Sequence, residues 1–110
     1  MRSIIFVITI CLSVGRVTAA ADDAKVAKGE KAYTDQKCSL CHSIADKGNK
    51  KGPLDGVASK LSTHELHEWI ANAKGMTAKT KATRTPAMKA YALPNDDVDA
   101  LVAYLGTLTK

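Results

Sequence analysis

Two cysteines three positions apart, with a histidine directly after the second, constrain this chain more than any other feature: Cys38-Ser39-Leu40-Cys41-His42. Pairs of this spacing serve thiol redox chemistry, zinc binding, disulfide bonding or covalent haem attachment, and the surroundings must choose among them. A redox C-x-x-C follows a strand and opens a helix in a βαβ setting. No strand-like alternation is visible here. A zinc site needs two further ligands, and only His64 and His67 offer themselves. They lie in an H-x-x-H pattern that is shorter than the usual spacing of a zinc module. A simple disulfide leaves His42 unexplained. The remaining reading accounts for all three residues: two thiols one helical turn apart each add to a vinyl group of a porphyrin, and the adjoining imidazole lies under the iron. The motif therefore predicts one covalently attached haem c, held by Cys38 and Cys41, with His42 as the proximal iron ligand.

Residues 1–21, MRSIIFVITICLSVGRVTAAA, read as a cleaved export signal. Arg2 gives the positive start, Ile4 to Val14 the apolar run, and the residues from Val17 to Ala21 the small side chains of a cleavage site, which the pattern puts after Ala20 or Ala21. The run is about half the roughly 20 apolar residues that a membrane span requires. Cys11 leaves with the leader, so the working domain is 22–110, with net charge +3 and only two cysteines. A chain with this leader is expected to be exported to an oxidising compartment.

Removing the leader exposes a deficit. Residues 22–110 hold 36 hydrophobic side chains, of which 14 are alanine, and no phenylalanine. One domain of this size buries a modest fraction of its surface, and side chains this small fill little of its interior. A covalently held porphyrin supplies the large flat apolar body that they do not, and without it the chain is expected not to fold stably.

The coarse structure is all helical. Asp22 to Gln36 has helical composition, with Asp22 or Asp23 suited to cap it and Val26, Gly29 and Tyr33 on one face. Ser62-Thr63-His64-Glu65 is a capping-box pattern that opens a helix to about Asn72, with Leu66, Trp69 and Ile70 on its buried side. His64 and His67 read as surface residues of that helix. A last helix starts near Asn95 or Asp96 as cap and carries the stripe Val98, Leu101, Val102, Leu105 and Leu108. Gly52-Pro53 marks a turn.

With these landmarks in order, residues 22–110 resemble the class I c-type cytochromes, in particular the small soluble monohaem members of bacterial periplasms. The resemblance implies the cytochrome c fold: three to five helices wrapped around one covalent haem, the first and last helices crossing, with a small residue against an aromatic. Gly29 and Tyr104 suit those parts. It implies an axial methionine on the loop before the last helix, which is Met88; Met76 is the weaker candidate. It further implies that the Pro53 carbonyl orients His42, and that the Trp69 indole meets a haem propionate.

Methionine opposite histidine closes the iron to substrate and stabilises the ferrous state. The resemblance thus implies a one-electron carrier rather than an enzyme, shuttling between periplasmic redox complexes as a monomer. Two alternatives stay open: a haem peroxidase or small-gas sensor with a labile methionine, and a dedicated electron-transfer subunit of one oxidase or dehydrogenase. Residues 74–89 carry Lys74, Lys79, Lys81, Arg84 and Lys89 and no acid. A basic surface of this kind steers acidic protein partners. An exported chain without a recognition motif is not expected to bind nucleic acid.

Overall fold

The alanine-rich first segment forms helix α1, Val17–Asp35, in the computed structural model, which describes residues 17–110 with side chains from residue 22. The expected leader, 1–21, lies outside the described residues except for the backbone of its last five, which belongs to α1. The helix therefore starts earlier than the expected cap at Asp22 or Asp23. Ala19-Ala20-Ala21 has the highest helix propensity of any residue type and nothing there interrupts the turn, so both aspartates lie inside the helix.

Four more helices follow among the described residues: α2, Val57–Lys60; α3, Thr63–Ala71; α4, Ala73–Thr80; and α5, Asn95–Leu105. Between α1 and α2 lies a hairpin too short to show as alternation in sequence. Its strands β1, Ser43–Ile44, and β2, Lys47–Gly48, pair antiparallel with Ser43 opposite Gly48 and Ile44 opposite Lys47. Ala45 and Asp46 both have positive φ, 50° and 65°, the conformation a two-residue hairpin turn requires.

Helix α3 begins as its sequence requires. The Ser62 Oγ accepts from the Glu65 N–H at 3.1 Å, and Glu65 returns the bond to the Ser62 N–H at 3.0 Å. Those bonds hold the Glu65 carboxyl below its ordinary pKa. Helix α5 differs from expectation at its start. Its N-cap is Pro94, extended at φ −54° and ψ 147°, with no side-chain cap; Asn95 is already helical. Proline has no N–H to satisfy, and Asp96 and Asp97 still place negative charge at the positive end of the helix dipole.

The core forms where α5 lies against α1 and α3. Val98, Leu101, Val102 and Leu105 are buried from α5, and Leu66 and Ile70 from α3. Each such side chain withdrawn from water stabilises by roughly 1.5–3 kcal/mol. Leu108, the last of the expected stripe, lies past the end of α5 and is half-buried against the same cluster. The α1–α5 contact is close. A Cβ on Gly29 would run into the Ala100 carbonyl and stand 2.7 Å from the Tyr104 Cβ. Beside it the Tyr33 and Tyr104 rings meet edge to face at 5.9 Å, and Lys28 pairs with Asp97 at 3.4 Å.

Helix α4 was not evident in the sequence, because Gly75 interrupts a short segment whose apolar residues are few. Packing makes up for weak propensity: Ala73 and Met76 are both buried. The long segment after α4 is tied down where the Tyr91 N–H reaches the Ile70 carbonyl at 3.1 Å. No described helix is long and apolar enough to cross a membrane.

Candidate functional site

The end of α1 delivers the cysteine motif. Lys37 takes a left-handed conformation, φ 55°, which breaks the helix, and Cys38–Leu40 wind into a single tight 3-10 turn. The Cys38 carbonyl accepts from the N–H groups of Cys41 (3.1 Å) and His42 (2.9 Å). Residues Cys38 to Cys41 thus form one closed turn, with the two cysteines at its ends and His42 directly after. Both thiols are free, Cys38 half-buried and Cys41 exposed. Burial pushes the Cys38 thiol above its ordinary pKa. It therefore stays protonated at neutral pH, which disfavours the thiolate chemistry of a redox pair.

Asn49, which the sequence did not single out, clasps this turn. Its backbone N–H is shared between the carbonyls of Ser39 and His42, each at 3.0 Å, and its side-chain amide donates to the Leu40 carbonyl at 3.1 Å. Its side-chain oxygen accepts from the Lys51 N–H at 3.0 Å. Only the Gly48-Asn49 pair, a turn signal, hinted at it. Gly48 precedes it at φ 109°, where a Cβ would strike the His42 carbonyl. The hairpin thus folds back on the motif it follows.

His42 uses one ring nitrogen inside the protein. Its Nδ1 lies 3.0 Å from the carbonyl oxygen of Gly52. This corrects the expectation that Pro53 supplies the carbonyl. Ser43 forms a parallel bridge with Pro53, donating its N–H to Gly52 O (3.1 Å) and accepting from the Leu54 N–H (2.8 Å). In such a bridge the residue between the two bonds directs its own carbonyl away, so it is the Gly52 oxygen that meets both Ser43 and the imidazole. With Nδ1 donating there, Nε2 is the nitrogen left for a metal. Burial, countered by that hydrogen bond and reinforced by the charge of Arg84, keeps the His42 pKa below its ordinary value. A neutral imidazole is the form that ligates.

The segment after α4 folds over the motif. The Arg84 guanidinium packs on the α-carbon of Gly52, its Cζ 2.8 Å from where a Cβ would stand. Cys38 lies within electrostatic reach of Lys89, and both cysteines within that of Tyr91. Lys89 also stacks its ammonium over the Tyr91 ring, 5.1 Å from the centroid. Met88, between Arg84 and Tyr91, is half-buried. Met76 instead sits in the core of α4, 5% exposed. Trp69 is half-buried on α3. His64 and His67 line a groove with Lys25, Asp99 and the end of α5, and no three His, Cys, Asp or Glu side chains converge on a metal position among the described residues.

These residues fit a covalently bound porphyrin. Two free thiols stand one turn apart, the imidazole bonded to Gly52 keeps one nitrogen unengaged, and among the described residues no large side chain is fully buried. Tyr33, Leu54, Tyr91 and Leu93 pack on the core while staying partly exposed, and Tyr33 and Tyr91 lie within electrostatic reach of Cys38. The Tyr33 hydroxyl is buried without a partner among the described residues, and burial pushes its pKa up to about 12. It therefore remains a neutral aromatic wall.

A helical domain whose first helix ends in this turn, and whose last helix packs across the first, is a small c-type haem protein. The cytochrome c family model matches residues 26–109, and the chain belongs to that family. Its members bind haem c covalently and work in electron transfer. No curated protein and no solved structure matches the chain.

Proposed function

We propose that this protein is a one-electron carrier of the bacterial periplasm, exported by a leader cleaved near residue 21, with one haem c ligated by His42 and Met88. The observation that carries the reading is the His42–Gly52 hydrogen bond. It fixes the ring and raises its basicity while Nε2 stays available, as the ligand of a permanently bound metal requires. When bound, the haem supplies a metal that exchanges one electron at its edge. Cys38 and Cys41 would attach it, and His42 and Met88 would ligate its iron.

Met88 is favoured over Met76 because its segment folds back to the histidine side of the motif, with Arg84 on Gly52 and Tyr91 within electrostatic reach of both cysteines, whereas Met76 fills the core. A thioether ligand there would occupy the position that peroxide or a gas needs, which supports a carrier over an enzyme. Trp69 remains the proposed propionate contact. The proposed partners are redox proteins with acidic docking faces, met by Lys74, Lys79, Lys81, Arg84 and Lys89. Stopped-flow reduction by an acidic donor protein tests this: the rate should fall steeply from low to high salt, and a rate indifferent to salt contradicts basic docking.

A further inference from the structure

Arg84 stands in an unusual place. It belongs to the segment that carries Met88, yet its guanidinium rests on Gly52, the residue whose carbonyl receives the His42 imidazole. The contact needs glycine: a Cβ at 52 would meet both the Arg84 head group and the Cys41 carbonyl. Two chain segments separated by about 30 residues are thereby joined at one α-carbon, and the join brings a permanent positive charge to the histidine side of the site. Neighbouring Lys89 offers no equivalent, since its ammonium turns to the Tyr91 ring. No salt bridge to a carboxylate neutralises Arg84 among the described residues.

We infer that Arg84 is a positioning residue that raises the midpoint potential of the haem by placing its charge beside the His42–Gly52 hydrogen bond. The inference rests on the proposed His42 ligation. Reduction adds one electron to the iron and leaves every protein bond intact, so a nearby fixed cation favours the reduced state by Coulomb attraction. Solvent screens part of that attraction because Arg84 is exposed. The expected effect is roughly fivefold in the equilibrium constant for one-electron reduction, about 40 mV at 59 mV per tenfold.

The test is a redox titration of the purified holoprotein and of Arg84→Gln, Arg84→Lys and Lys25→Gln, each first checked for c-type bands in the reduced spectrum. Lys25→Gln removes the same unit of net charge on α1 and controls for it. Arg84→Gln should lower the equilibrium constant about fivefold, while Arg84→Lys and Lys25→Gln stay within twofold of the parent. An unchanged potential in Arg84→Gln overturns the inference, and so does an equal fall in Lys25→Gln. If Arg84→Gln does not mature, Arg84→Lys decides: a fivefold fall despite the retained charge contradicts an electrostatic role. Absence of c-type bands in the parent protein would instead overturn the haem reading itself, before any potential is measured.

Discussion

Gly29 presents its bare α-carbon to Tyr104, so that the first and last helices meet with 2.7 Å between the Tyr104 Cβ and the point where a side chain on residue 29 would begin. The backbone of Ala100 closes the same space. This contact sets how α1 leaves the core, and hence where Cys38 emerges at its end. Gly29→Val must separate the helices or distort them, and overpacking of this kind costs roughly 1–3 kcal/mol. Chemical denaturation of the holoprotein should show a loss near the upper end of that range. A change below about 0.5 kcal/mol, the scatter of an ordinary surface substitution, would mean that the helices have slack there.

Asn49 joins the hairpin to the motif through its side-chain bonds to the Leu40 carbonyl and the Lys51 N–H. Asn49→Ala removes both and leaves the backbone bonds. At about 1 kcal/mol per net hydrogen bond, the variant should lose ~1–2 kcal/mol of stability. It should also mature with less haem per chain, read from the ratio of the haem band to protein absorbance. Full stability and full haem content would show that the hairpin alone holds the turn.

Met88 and Met76 separate by what each loses. Met88→Ala should abolish the weak sulfur-to-iron band of the oxidised protein with modest effect on folding, since residue 88 is only half-buried. Met76→Ala should keep the band and lose about 2–5 kcal/mol, as for truncation of a buried methionine. The reverse pattern assigns the ligand to Met76.

The Ser62–Glu65 capping box gives α3 a pH dependence of known sign. The Glu65 carboxyl is held below its ordinary pKa chiefly by the Ser62 N–H. Its contribution is therefore present above the ordinary carboxylate range and lost as pH falls through the lowered folded value. Thermal unfolding followed from pH 7 downward should decline less in Glu65→Gln than in the parent, because the variant has already lost that proton-linked part. Ser62→Ala should cost about 1 kcal/mol at neutral pH. Parallel pH profiles for the parent and Glu65→Gln would remove the box from the protein's acid sensitivity.

What was legible in the sequence was what depends on neighbours along the chain. The Cys38–Cys41–His42 spacing is a property of one turn, the Ser62–Glu65 box of another, and the 98, 101, 102, 105 stripe of one helix face. Gly29 against Tyr104 was legible only through the family resemblance, since no local signal distinguishes that glycine from one merely tolerated in a helix. What was not legible depends on how segments meet. Whether Gly52 or Pro53 faces the imidazole is decided by the bridge to Ser43, and Arg84 reaches Gly52 only once the segment beyond α4 has folded back. Strands of two residues have no period to read, and α4 is helical because the core accepts Ala73 and Met76. The capping of α5 by Pro94 escaped for a simpler reason: Asn95 and Asp96 are better caps by residue type, but the chain turns one residue earlier.

The proposed haem is covalently held and fully ligated, so that it would carry electrons and bind no substrate. Optical spectra of the purified holoprotein, oxidised, reduced, and reduced under carbon monoxide, test it in one series. The expected result is c-type bands on reduction that carbon monoxide leaves unchanged, together with the sulfur-to-iron band on oxidation. Rapid formation of a carbon monoxide complex, with no sulfur band in the oxidised state, would contradict it and point to an open iron that reacts with small molecules.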